Sequence, residues 1–207
     1  MAPLIDLVSE QLSGPRLSQI SRQLGIPEQQ TREALPAALA ALTGAMAQNA
    51  SQPQGAQQLS NALSKDHDGS ILDSLDDFLG GGASFGGGSN PGAGSNFGVG
   101  TSILRHVLGG RQQKVETNLG RATGLDPATM GRLLMLLAPI VLGALGRRQR
   151  QQGLDPGGLS DLLGGESRRA AEVNPQARKG LGALLDRDGD GQFIDDLVGG
   201  LLSGSRR

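Results

Sequence analysis

The chain has no cysteine, tryptophan or tyrosine, and aromatic side chains make up 2% of its 207 residues. Without thiols, disulfide and thiolate chemistry are closed to it, which fits a reducing compartment and the expectation of a cytoplasmic protein. Without aromatics, the core must be built from Leu, Ala, Ile, Val and Met. That favours helix-on-helix packing, because a sheet draws more on β-branched and aromatic residues. His67 and His106 are the only histidines, with no Ser/His/Asp or metal–His spacing around them. Catalysis therefore has no sequence support, and the expectation is a non-enzyme. The N-terminus, MAPLIDLVSEQL, lacks the basic start of a secretory signal. The densest apolar run, Leu133 to Leu145, is thirteen residues long and contains Pro139 and Gly143. A membrane helix needs roughly 20 apolar residues, so this run reads as a buried core helix rather than a span.

What is abundant is glycine, 34 residues, and a partitioned charge. Residues 1–100 carry four basic and nine acidic side chains, net −5; residues 101–207 carry fifteen and eleven, net +4. The net charge of −1 hides this asymmetry. An acidic half and a basic half attract each other, within a chain or between chains, whereas a nucleic-acid binder is expected to be more uniformly basic.

The periodicity is helical. Leu4, Leu7, Val8 and Leu12 mark an amphipathic helix that stops near Gly14-Pro15. Leu17, Ile20, Ser21 and Leu24 mark a second, closed by Gly25. Pro27 opens a third, in which Pro36 should produce a kink or a break. Residues 48–56 read as a polar connector. After it, Ser70 and Asp73 have the spacing of a capping box for a helix reaching about Leu79. Residues 80–100 contain ten glycines and read as a flexible linker. Ile103 to Leu108 and Val115 to Ala122 then give two helices, the second closed by Gly124. Asp126 and Pro127 open the longest apolar helix, with Arg147, Arg148 and Arg150 near its end. Residues 151–178 read as a mobile connector with one short helix at Leu159 to Leu163.

The two halves match. LGIPEQQ aligns with TGLDPAT at an offset of 99, ALPAAL with LAPIVL, and NALSKDHDGSILDSL with ALLDRDGDGQFIDDL at an offset of 122. This is the pattern of a domain duplication rather than a solenoid. The expected fold is all-α: two sequence-related helical units, 1–79 and 101–204, sharing one core and joined by the linker 80–100.

The sharpest candidate site is the turn Asp186-Arg187-Asp188-Gly189-Asp190-Gly191. Carboxylates at positions 1, 3 and 5 with glycine at 6 match the start of a calcium loop. Position 12 is Leu197, where a bidentate acid is needed, so Asp195 or Asp196 would have to serve in a shortened loop. The metal candidates are Asp186, Asp188, Asp190, Asp195 and Asp196, and the ion would be Ca²⁺. The earlier copy keeps Asp66, Asp68 and Asp73 but has Ser64 in place of the first acid. The competing reading is a tight turn leading into a helix N-terminus, where Asp and Gly are equally at home. LSQISRQLGIPEQQTREAL also has a helix-turn-helix look. Its second helix offers Gln29, Gln30, Arg32 and Glu33 before turning apolar, and the later copy offers only Arg132.

The LGIP and TGLDP turns, the LLAPIVLGALG helix and the DHDGSILD and DGDG–DDL turns together resemble the YidB-like bacterial family, a domain of unknown function. The resemblance implies a small all-helical fold, homeodomain-like in some members, with no established activity and no catalytic residues to carry over. The chain departs from it in the length and glycine content of residues 80–100. The function expected is that of a non-enzymatic structural or protein-interaction protein that self-associates and carries a calcium-responsive loop. The alternatives are a calcium-binding module acting on another protein and a helix-turn-helix-like DNA binder.

Overall fold

A computed structural model describes residues 3–65, 67, 69–80, 96–173 and 182. Among them the regular structure is entirely helical. The helices are α1 (Leu4–Gln11), α2 (Pro15–Leu24), α3 (Glu28–Ala50), α4 (Pro53–Lys65), α5 (Leu75–Leu79), α6 (Asn96–Leu108), α7 (Gln112–Thr123), α8 (Pro127–Gln152) and α9 (Pro156–Val173). Short 3₁₀ turns cover Ser70–Leu72 and Gly109–Arg111.

The long helices α3 and α8 pack on each other and are buried over most of their middle lengths. The pairs α1–α2 and α6–α7 each pack on both long helices. Side chains from Leu4 through Leu163 form one continuous apolar cluster. Among the described residues α8 is the one helix long and apolar enough to cross a membrane by length and composition, and most of its apolar stretch is buried inside the fold.

Local chemistry explains where these helices begin and end. Gly25 and Gly124 both take a left-handed conformation, φ 71° and 75°. The next amide, Ile26 or Leu125, bonds back to the carbonyl of Ser21 or Gly120. This closure satisfies carbonyls that a helix end would otherwise leave open, and glycine adopts it without Cβ strain. At α8 the Asp126 carboxylate accepts from the Thr129 amide at 2.9 Å. Hydrogen bonding from the Thr129 side chain, and then from this amide, lowers the Asp126 pKa.

Several sequence expectations are corrected. Neither Pro36 nor Pro139 ends its helix; each sits inside a continuous one. The missing hydrogen bond costs about 3 kcal/mol, and burial of a long apolar surface on either side offsets it. The polar connector at 48–56 shrinks to a two-residue turn, because α3 continues to Ala50 and α4 starts at Pro53. Residues 96–100, assigned to the linker, are the first turns of α6. Ser70 and Asp73 make no capping box: Ser70 starts a 3₁₀ turn, and the Asp73 carboxylate turns to Arg147. The segment expected as a mobile connector carries the 18-residue α9, which packs on α3 and α4.

Tertiary contacts hold α9 in spite of its glycines. Leu159 and Leu163 are fully buried. One Glu166 carboxylate oxygen accepts from the Leu4 backbone amide at 2.7 Å, so it caps α1 from across the fold. The other lies 3.9 Å from the Arg148 guanidinium. Both side chains of this pair are buried, and removing one partner of such a pair costs about 3–5 kcal/mol by stranding the other. Elsewhere Arg16 grips Asp76 with two bonds, 2.8 and 3.1 Å, and ties α2 to α5. This lowers the Asp76 pKa and raises that of Arg16.

Glycine also sets how closely α6 approaches α8. A Cβ at Gly100 would run into the Met135 carbonyl, whereas one at Gly98 would meet nothing. Gly100→Ala should therefore lower the urea midpoint by the equivalent of about 1–3 kcal/mol, through overpacking. Gly98→Ala should leave it unchanged or raise it by up to about 1 kcal/mol, through helix propensity.

Acid should weaken the fold through Asp76 and Asp126. Each has a folded pKa below its unfolded value, so its contribution is complete above the ordinary aspartate range and is lost as pH falls through the lowered folded value. Urea midpoints followed downward from about pH 5 should fall less steeply in an Asp76→Asn/Asp126→Asn double variant than in the parent.

Candidate functional site

A groove of about 700 Å³ opens between α4 and α6. Both helices pack on α3 and α8, but neither packs extensively on the other, so the surface between them stays open. The floor is apolar: Met46 from α3, Ile103 and Val107 from α6, and Leu142 from α8. One wall is a row of carboxamides on α4, Gln54, Gln58 and Asn61. The other wall is Ser102 and His106 on α6, and His67 closes one end. Among the described residues, no Asp, Glu, Lys or Arg lines it.

Two hydrogen bonds hold its edges in place. The Asn49 carboxamide donates to the Val107 carbonyl at 2.9 Å and fixes the C-terminal end of α6 to α3. Gln149 of α8 donates to the Ser60 hydroxyl at 2.7 Å and fixes α4. The turn bearing His67 lies against α8, where Gly143 and Gly146 leave room for it. A Cβ at Gly146 would strike the His67 carbonyl, and one at Gly143 would strike Ile71. Arg147 fastens the same turn, donating to the Gly69 carbonyl at 3.0 Å and to Asp73 at 2.6 Å.

The sequence-derived candidates divide by location. Asp186, Asp188, Asp190, Asp195 and Asp196 lie outside the described residues, as do Asp66 and Asp68. Asp73 is the Arg147 partner, and the Ser64 hydroxyl donates to the Ser60 carbonyl within α4. Among the described residues no group of three or more His, Cys, Asp or Glu is placed to hold a metal ion. Gln29, Gln30, Arg32 and Glu33 are exposed at the start of α3, as is Arg132 on α8, and the helices beyond them are mostly buried. His67 and His106, 39 positions apart and unremarkable in sequence, both reach the groove. The four- and three-residue spacing of Gln54, Gln58 and Asn61 was the available signal for the polar wall.

The comparisons place the chain. Residues 6–148 match the profile of a family described as bacterial protein of unknown function (DUF937). The chain belongs to that family. The matched region runs from α1 through most of α8 and so includes both long helices and the groove. No curated protein and no solved structure matches this DUF937 chain.

Arg147 should control the local stability of the turn that carries His67. In Arg147→Met, the Leu72 and Asp73 amides should exchange about 10-fold faster, equivalent to about 1.4 kcal/mol, while α8 amides keep their protection. Unchanged exchange would mean that the Gly143 and Gly146 contacts hold the turn alone.

Proposed function

We propose that this DUF937 protein is a non-enzymatic, cytoplasmic protein-interaction module that self-associates and presents the α4–α6 groove to a partner. The observation that carries this reading is the groove itself, an apolar floor between two uncharged polar walls. Such a surface suits a partner that loses water from both apolar and hydrogen-bonding groups. Self-association draws support from the opposed charges of the halves. Arg147 and Asp73 already pair across them, while Asp6, Glu10 and Glu33 in the acidic half and Arg105, Arg121 and Arg132 in the basic half face solvent. Exposed apolar surface contributes little, since Leu7 is the one large hydrophobic side chain well exposed among the described residues.

The internal duplication belongs to this reading. The Gly25 and Gly124 closures, each leading into a long buried helix with an internal proline, support two copies of one unit. The glycine-rich stretch would join them. The calcium-responsive element would be Asp186 to Asp196, with Ca²⁺ modulating assembly. A DNA-binding role is less favoured, because the polar first turn of α3 leads at once into buried residues and leaves too short a face for base edges.

Sedimentation velocity of the full chain, at low salt and with either EDTA or about 1 mM Ca²⁺, tests the proposal. The expected result is a concentration-dependent dimer or larger species that strengthens with calcium and weakens at high salt. A strict monomer in all conditions would contradict self-association. A monomer that still gives calorimetric heat with calcium would favour the calcium module acting on another protein.

A further inference from the structure

We infer that α9 is a releasable strap, latched over α3 and α4 through Glu166 and built to open while the rest of the fold stays closed.

The helix is held by one face. Among its described side chains the buried ones are Leu159, Leu163 and Glu166. They stand four and three residues apart, which is one stripe of a helix. α4 carries the same stripe behind the same opening residue: Ala56, Ser60 and Leu63 follow Pro53 as Leu159, Leu163 and Glu166 follow Pro156. At the third position α4 buries a leucine and α9 a carboxylate. A leucine there is sealed by burial alone. A carboxylate has to be matched, and Glu166 is matched by the Leu4 amide at 2.7 Å and the Arg148 guanidinium at 3.9 Å. Beyond it Ala170 and Ala171 are only partly buried, and Arg168, Arg169 and Glu172 are exposed. The end of α9 therefore hangs on one set of polar contacts. The attraction in a buried ion pair is largely offset by desolvation, so such a pair suits a contact that is specific and can be given up.

α9 is also weak by composition. It contains Gly157, Gly158, Gly164 and Gly165, and glycine inside a helix lowers its stability relative to alanine. At Gly100, Gly143 and Gly146 that loss is offset by close approach of backbones. Gly164 and Gly165 bring no such gain, because a Cβ at either would meet nothing among the described residues. These two weaken the helix without improving its packing.

The connection suits a hinge. Residues 153–155 join α8 to α9, with Gly153 in the left-handed region at φ 61°. The Gln149 carboxamide of α8 donates to the Leu154 carbonyl at 3.3 Å, so the link stays tied to α8 when the helix beyond it opens. The family match ends at residue 148, and α9 is no part of the matched unit. Opening uncovers the surface of α3 and α4 that Leu159 and Leu163 seal.

Native-state hydrogen exchange of the full chain tests the inference. In the parent, α9 amides should exchange at least about 100-fold faster than those from Leu133 to Leu145 of α8. Glu166→Gln, which removes the charge and keeps the shape, should speed α9 exchange about 10-fold. Gly164→Ala/Gly165→Ala should slow it about 10-fold. Gly100→Ala strains α6 against α8 and lowers the stability of the whole fold. It should speed the α8 amides and leave α9 exchange unchanged, because opening of α9 does not break that contact. Equal acceleration of α8 and α9 by Gly100→Ala would mean that α9 opens only with the whole fold. That result, or unchanged α9 exchange in either Glu166→Gln or the double glycine variant, would overturn the inference.

Discussion

A helix that is apolar nearly all the way round must be enclosed, and α8 is such a helix. Enclosing it takes contributions from α1, α2, α3, α4, α6 and α7 and from the turn at Ser70–Leu72. With almost no aromatic side chains to fill wide gaps, the enclosing elements have to come close. Glycine makes that approach feasible: Gly100 lets α6 meet the α8 backbone, and Gly143 and Gly146 let the turn after α4 do the same. Charge then locks what packing places. Arg147 holds that turn, and Arg148 with Glu166 joins the end of α8 to α9 and the start of α1.

The groove follows from the same constraint. Two helices that both lie against α3 and α8 without packing extensively on each other leave a trench whose floor is the outer edge of the core and whose walls are their own solvent faces. The trench is therefore apolar below and polar at the sides. Its walls carry carboxamides, a hydroxyl and imidazoles rather than charges. The charged side chains of this family member instead pair across elements, as in Arg16–Asp76 and Arg147–Asp73, or face solvent elsewhere.

Most of the helical frame was legible in the sequence because its signals are local. Gly25, Gly124, Asp126 and the three- and four-residue spacing of leucines each act within a turn or two. What was not legible depended on distant partners. The 18-residue α9 contains two glycine pairs and reads as a connector until Leu159, Leu163 and Glu166 meet α3, α4 and α1. Asp73 has the spacing of a capping residue, yet a cation 74 positions away takes its carboxylate. The prolines of α3 and α8 predict a kink or a break, and both helices run on through them. The groove was hidden for the same reason: its walls come from α4 and α6, and only the relative placement of the two helices on α3 and α8 makes their polar stripes face one space.

The most direct measurement of the organising role of α8 is native-state hydrogen exchange across the chain in increasing denaturant. If α8 is the enclosed centre, the amides from Leu133 to Leu145 exchange only through global unfolding, while those of α4 and α6 open at lower free energy. Exchange of α8 at the rate of a fraying helix, with α4 and α6 still protected, would contradict it.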